Sequence, residues 1–167
     1  RFESFPQTLD WRLPAPWEWN VRLFRFNIKT GEKYSYEPFS QQKGGIIAPP
    51  LNISKHKLCI VWDSINGGIA GISYNDNKFE KNWEINIRPT MQPIYFEQSN
   101  ELVINHFDDK SDYLVVIDVL EGKILSKVNL RTPMANGMFL TPGFNNDVLY
   151  CSTLALSLIH IWRCRRR

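Results

Sequence analysis

Two arginines 43 residues apart, Arg88 and Arg131, are the first candidates for chemistry in this 167-residue chain. The run Arg88-Pro89-Thr90-Met91 returns as Arg131-Thr132-Pro133-Met134, and Ile85-Asn86-Ile87 returns as Val128-Asn129-Leu130. Two guanidinium groups converging on one point would grip a carboxylate or phosphate by bidentate hydrogen bonds, which lysine does not reproduce. The competing explanation is that a repeat copies structural residues as readily as functional ones. In that case both arginines bond carbonyls between units.

A second cluster lies in Trp62-Asp63-Ser64-Ile65-Asn66 and the matching Asn105-His106-Phe107-Asp108-Asp109. Asp63, His106 and Asp108 supply oxygen and nitrogen ligands on neighbouring units. A hard cation such as calcium asks for six to eight oxygens, so other loops would have to contribute. A His–Asp pair also suits a general base, with the carboxylate orienting the imidazole. Against both stands the ordinary turn composition of Asp108-Asp109-Lys110-Ser111-Asp112. Tryptophans form the third group. Trp17 and Trp19, beside Trp11 in a proline-containing stretch, and Trp62 offer flat apolar surface to a sugar, an aromatic ligand or a partner. They serve equally well as plugs between packed sheets.

The elements that must position these groups follow from the same period. A repeat of 40–45 residues filled with short strands is the signature of propeller blades of about four strands. One unit, 46–87, reads as strands at 46–51, 57–62, 68–74 and 82–87. Turn residues separate them at Ser54-Lys55-His56, Asn66-Gly67-Gly68 and Asn75-Asp76-Asn77-Lys78. The next unit, 91–130, reads as 93–96, 101–105, 113–118 and 124–130. Tyr113 to Ile117 is continuously apolar, as expected of a strand covered on both faces. Partial units flank these at 1–40 and 137–152. No segment has capped helical periodicity, so the fold class is all-β: a partial β-propeller of about three four-stranded antiparallel blades, an open arc of a larger ring. A β-sandwich has similar turn spacing but does not require internal self-similarity.

Connections from an outer strand to the next inner strand, and from second to third strand, share one face of such a fold. They place 41–48, 88–92 and 131–137 beside 10–20, 63–67 and 105–112. Function is expected on these loops.

The turns Asn27-Ile28-Lys29-Thr30-Gly31-Glu32-Lys33 and Asp118-Val119-Leu120-Glu121-Gly122-Lys123 resemble the outer hairpin of quinoprotein-like (PQQ-like) β-propellers. The resemblance spans about residues 20–152. It implies a propeller and a periplasmic or secreted location. Cofactor-bearing members of that family place adjacent paired cysteines at the quinone. No Cys-Cys pair occurs here, so PQQ itself is not supported. Nucleophile-elbow, zinc-protease and phosphate-loop motifs are likewise absent from 1–155.

Residues 156–167 have no counterpart in the repeat and resemble the peptide translated from sequencing-adapter DNA. They are expected to lie apart from the fold. Their four arginines also account for the basic balance. The whole chain carries 20 basic and 17 acidic residues, net +3, whereas residues 1–155 hold 16 basic against 17 acidic. With no basic patch left, nucleic-acid binding is set aside. Cys59 and Cys151, on apolar strands, are expected as buried free thiols. Asn52-Ile53-Ser54 matches a glycosylation sequon, and no run is long and apolar enough for a transmembrane segment.

The expected activity is a ligand- or protein-binding module. Arg88 and Arg131 would hold an anionic group, with apolar contact from Trp17, Trp19 or Trp62. The alternatives are a metal-dependent enzyme of the lactonase or oxidoreductase kind, with a divalent cation near Asp63, His106 and Asp108, and a structural scaffold.

Overall fold

A computed structural model describes residues 21–39, 49–75 and 78–130, together with strands at 139–142, 148–152 and 158–162. The strands are β1 (Leu23–Phe26), β2 (Lys33–Tyr36), β3 (Leu51–Ile53), β4 (Leu58–Trp62), β5 (Ile69–Tyr74), β6 (Phe79–Ile85), β7 (Ile94–Phe96), β8 (Glu101–Phe107), β9 (Asp112–Asp118), β10 (Lys123–Asn129), β11 (Phe139–Pro142), β12 (Val148–Ser152) and β13 (Leu158–Trp162). They form a hairpin β1-β2, two four-stranded meanders β3-β4-β5-β6 and β7-β8-β9-β10, and a three-stranded sheet β11-β12-β13. Every pairing among the described residues is antiparallel. This is the meander of propeller blades, and the chain forms a partial propeller.

Alternation along the strands explains why the sheets stack. On β4, Leu58, Ile60 and Trp62 face one neighbour and Cys59 and Val61 face the other, so all five are buried. The first set packs with Ile69, Trp83 and Ile87 against Leu102, Ile104, Val115, Ile117 and Val119 of the second meander. The second set packs against Val21, Leu23 and Phe39 of the hairpin. Burial pushes the Cys59 thiol up to about 11, which makes it inert.

One ring ties the two meanders together. The Trp83 indole donates Nε1–H to the Val119 carbonyl across the junction, at 2.8 Å. It lies between Gly71 of its own sheet and Gly122 of the next, where any Cβ would fall inside the indole. Glycine is required at Gly122 twice over, because its φ of +66° also belongs to the left-handed region. The outer turns that suggested the family behave alike. Asn27 and Asp118 each accept two amides of their own turn, Lys29 and Thr30 in one, Leu120 and Glu121 in the other.

The 43-residue period is visible in the backbone. β3 maps onto β7 at that displacement, and Lys57 and Asn100 both turn with a left-handed φ, +49° and +52°. A bulge falls at Asn82 in β6 and at Leu125 in β10. Several boundaries differ from expectation. The first inner strand is described from Leu51, after Pro49 and Pro50, which carry no amide hydrogen for the ladder; the expected start at Ile46 lies outside the described residues. The outer strand of that blade begins at Phe79, three residues earlier than expected. Leu158–Trp162 pairs with β12, so the sheet gives no support for setting 156–167 apart from the fold.

Candidate functional site

The connection after β6 and the two hairpin tips, β4–β5 and β8–β9, meet at one end of the blades through main-chain bonds. Gly68 N–H donates to Ile87 O at 2.6 Å, and Phe107 N–H donates to Arg88 O at 3.0 Å. The same two junctions are built differently. Between the paired residues Trp62 and Ile69 the chain runs through 63–68, but between the paired Asn105 and Leu114 it runs through 106–113. β8 and β9 therefore continue one pleat further, through His106–Tyr113 and Phe107–Asp112 pairs. The stretch expected to be loop at 105–112 is strand at both ends, with the turn confined to 108–111.

That extra pleat carries the polar cluster. His106 Nδ1 accepts the Arg88 amide at 2.9 Å, and the imidazole stacks on Tyr113 with centroids 5.8 Å apart. Lys127 Nζ lies over the Tyr113 ring, 4.1 Å from its centroid. Arg88 sits over Phe107, 4.9 Å from its centroid, and its Nη2 bonds Asp109 Oδ1 at 2.5 Å. Its side chain is 28% exposed, so the guanidinium is held from two sides and still reaches solvent.

Titration follows from these contacts. Burial holds His106 below the usual histidine range, helped by the Lys127 and Arg88 charges and opposed by Asp108. An amide aimed at Nδ1 also requires that nitrogen to be unprotonated, which fixes the hydrogen on Nε2. Asp108 is held low, chiefly by the Ser111 amide. Tyr113 is raised, chiefly by its hydrogen bond to Asp108.

The residues singled out from sequence separate into three groups. Arg88, His106 and Asp108 come together on the β8–β9 hairpin and the connection beside it. Asp63 is fully buried and caps its own turn, accepting Ile65 N, Asn66 N and Asn66 Nδ2. Asp108 likewise caps Lys110 and Ser111. Among the described residues no three His, Cys, Asp or Glu side chains are arranged to hold a metal ion. The expected Asp63–His106–Asp108 centre is thus not assembled among the described residues, where both carboxylates instead accept the amides of their own turns. Trp62 is 2% exposed and belongs to the core between meanders, so it presents no surface to a ligand. Arg131, Trp17 and Trp19 lie outside the described residues. Sequence reasoning missed Tyr113 and Lys127, and it gave Asn105 and Phe107, inside the second cluster, no role of their own. The mismatch between Trp62-Asp63 and Asn105-His106 was the signal that marks them.

A propeller arc with a cation–aromatic cluster on one loop face defines a class of architecture that hosts many activities. Neither a family model nor a curated protein matches the chain, so the quinoprotein-like resemblance stands on its turn residues alone. Among solved structures it is similar to a Bacteroides fragilis NCTC 9343 protein described provisionally as a 6-phosphogluconolactonase. The two share 13% identity at a TM-score of 0.44, over 83% of this chain and 46% of that one. The chain spans less than half of that protein, and a likeness at this level carries no argument about activity. No helix of the described residues is long and apolar enough to cross a membrane.

Proposed function

We propose that this chain is a ligand- or protein-binding module whose loop face recognises an anionic group through Arg88. The supporting observation is the way Arg88 is held. Its amide and carbonyl are bonded to β8, its guanidinium rests on Phe107, and part of the charge faces solvent. A preorganised guanidinium loses little freedom on binding, which favours affinity. Arg131, one period later, would supply the second cation of the clamp, with Trp17 and Trp19 as further apolar contacts.

Calorimetric titration with succinate and with inorganic phosphate tests this. Arg88→Ala should weaken binding about tenfold or more, the size expected for a charged hydrogen bond. Its melting temperature should stay close to that of the parent. Equal affinity in parent and variant removes Arg88 from recognition.

A further inference from the structure

The repeat is broken at one buried position in a way that points back to Arg88. Where the first meander has Trp62 in the core between sheets, the second has Asn105, which is fully buried. Placing a carboxamide where a blade packs an indole forfeits apolar burial and leaves four hydrogen-bonding sites to satisfy. Such an exchange persists when the amide holds something.

Asn105 holds Thr90. Its Oδ1 accepts the Thr90 amide at 3.0 Å and its Nδ2 donates to Thr90 Oγ1 at 2.7 Å. The pairing fixes the orientation of the amide, since a flipped group would set Nδ2 against the Thr90 N–H. Thr90 lies two residues after Arg88, whose own amide and carbonyl bond His106 and Phe107. Three consecutive residues of β8 thus anchor the connection. Only Asn105 does so entirely through a buried side chain.

We infer that Asn105 is a positioning residue for recognition: by gripping Thr90 it sets the Arg88 guanidinium over Phe107, facing an anionic partner. This rests on the anion-binding role proposed above. Asn105 does not touch the partner and acts through Arg88, so its effect on affinity must vanish when Arg88 is gone.

The test is a double-mutant cycle in succinate and phosphate affinity, measured well below the melting temperature of every variant. The expected result has four parts. Asn105→Ala weakens binding at least fivefold in the parent background. It has no further effect in Arg88→Ala. Thr90→Val, which removes the hydroxyl that Nδ2 donates to, reproduces part of the loss. Thr90→Ser, which keeps that hydroxyl, binds as the parent does. The Arg88 Nε–Hε resonance of the free protein should also shift in Asn105→Ala, which a loss of general stability would not cause. If the parent binds, Arg88→Ala abolishes binding and Asn105→Ala does not change it, the positioning role is overturned while the anion site stands. If the parent binds neither probe, the anion site falls and the positioning role falls with it.

Discussion

The β4–β5 and β8–β9 tips occupy the same place in successive blades and solve the same problem with different chemistry. At the first, Gly67 and Gly68 take φ of +85° and +110°, and the chain closes against Ile87 through its own amide. Trp62 anchors that tip by filling the core. At the second there is no glycine, the strands run one pleat further, and side chains make the contacts: Asn105 to Thr90, His106 to Arg88, Arg88 to Asp109. One tip is closed by main chain and packing, the other by a polar network. A repeat can thus keep its connection to the neighbouring strand while changing what the tip displays. The packed tip is fitted for stability, and the gripping tip is the one proposed above to serve recognition.

The contrast predicts an order of stabilities, measurable by urea or thermal unfolding. Trp62→Ala should cost most, about 3–5 kcal/mol, because it empties a large site in the core between sheets. Next comes Gly122→Ala. Its new methyl would enter the buried Trp83 ring, an overpacking cost of about 1–3 kcal/mol, and the left-handed backbone adds about 1–2 kcal/mol. Gly31→Ala is the control. Its φ is equally left-handed, +76°, but nothing lies within 4 Å, so only the backbone cost applies. Equal losses at the two glycines would mean that Trp83 gives way and is not the lock between blades. Asn105→Ala should follow at about 1–3 kcal/mol, the cost of leaving the Thr90 groups unsatisfied. If it destabilises as much as Trp62→Ala, the division between packing and gripping tips is wrong.

The sequence made one of these tips far more legible than the other. The period, the turn residues and the alternation gave the meanders, since each follows from spacing alone: Lys57 and Asn100 bend at one blade position and the bulges at Asn82 and Leu125 repeat. Arg88 was legible as a candidate because it heads a repeated run. Asp63 misled because an acidic residue before a turn is chemically identical whether it caps amides or binds a cation. Trp62 misled because an aromatic beside a loop gives no sign of which face of its strand it takes. The extra pleat of β8–β9 was hidden, because the outer hairpin β9–β10 ends one pleat earlier than β5–β6 and so restores the period by β10. What separates the tips was present only as an exception to the repeat, Asn105 in place of Trp62.

The polar tip should also respond to acid. His106 titrates below its unfolded value, so the unfolded chain takes up this proton first as the pH falls. Its contribution to stability is complete above about pH 7 and is lost as the pH drops through roughly 6.5, the unfolded value. The difference in unfolding free energy between the parent and His106→Gln should therefore shrink from pH 7 to pH 5. His56 and His160 are common to both proteins and cancel. A difference that stays flat over this range would show that the fold does not oppose protonation of Nδ1.

The smallest effect on stability should come from Asp109, and it tests what the gripping tip is for. Its side chain is 75% exposed, and a surface ion pair of this kind contributes about 0–1 kcal/mol. Asp109→Asn should thus leave the melting temperature almost unchanged. Its effect on binding should be larger in proportion. The bond from Asp109 offsets the Arg88 charge in the free protein, so an incoming carboxylate must compete with it. Removing that competition should raise succinate affinity a few-fold at low salt. The gain should disappear near 1 M salt, where the screening length falls to about 3 Å. A loss of affinity would instead mean that Asp109 aims the guanidinium. The gripping network would then extend from Asn105 through Arg88 to the tip of the hairpin, and the two tips would differ in rigidity as well as in chemistry.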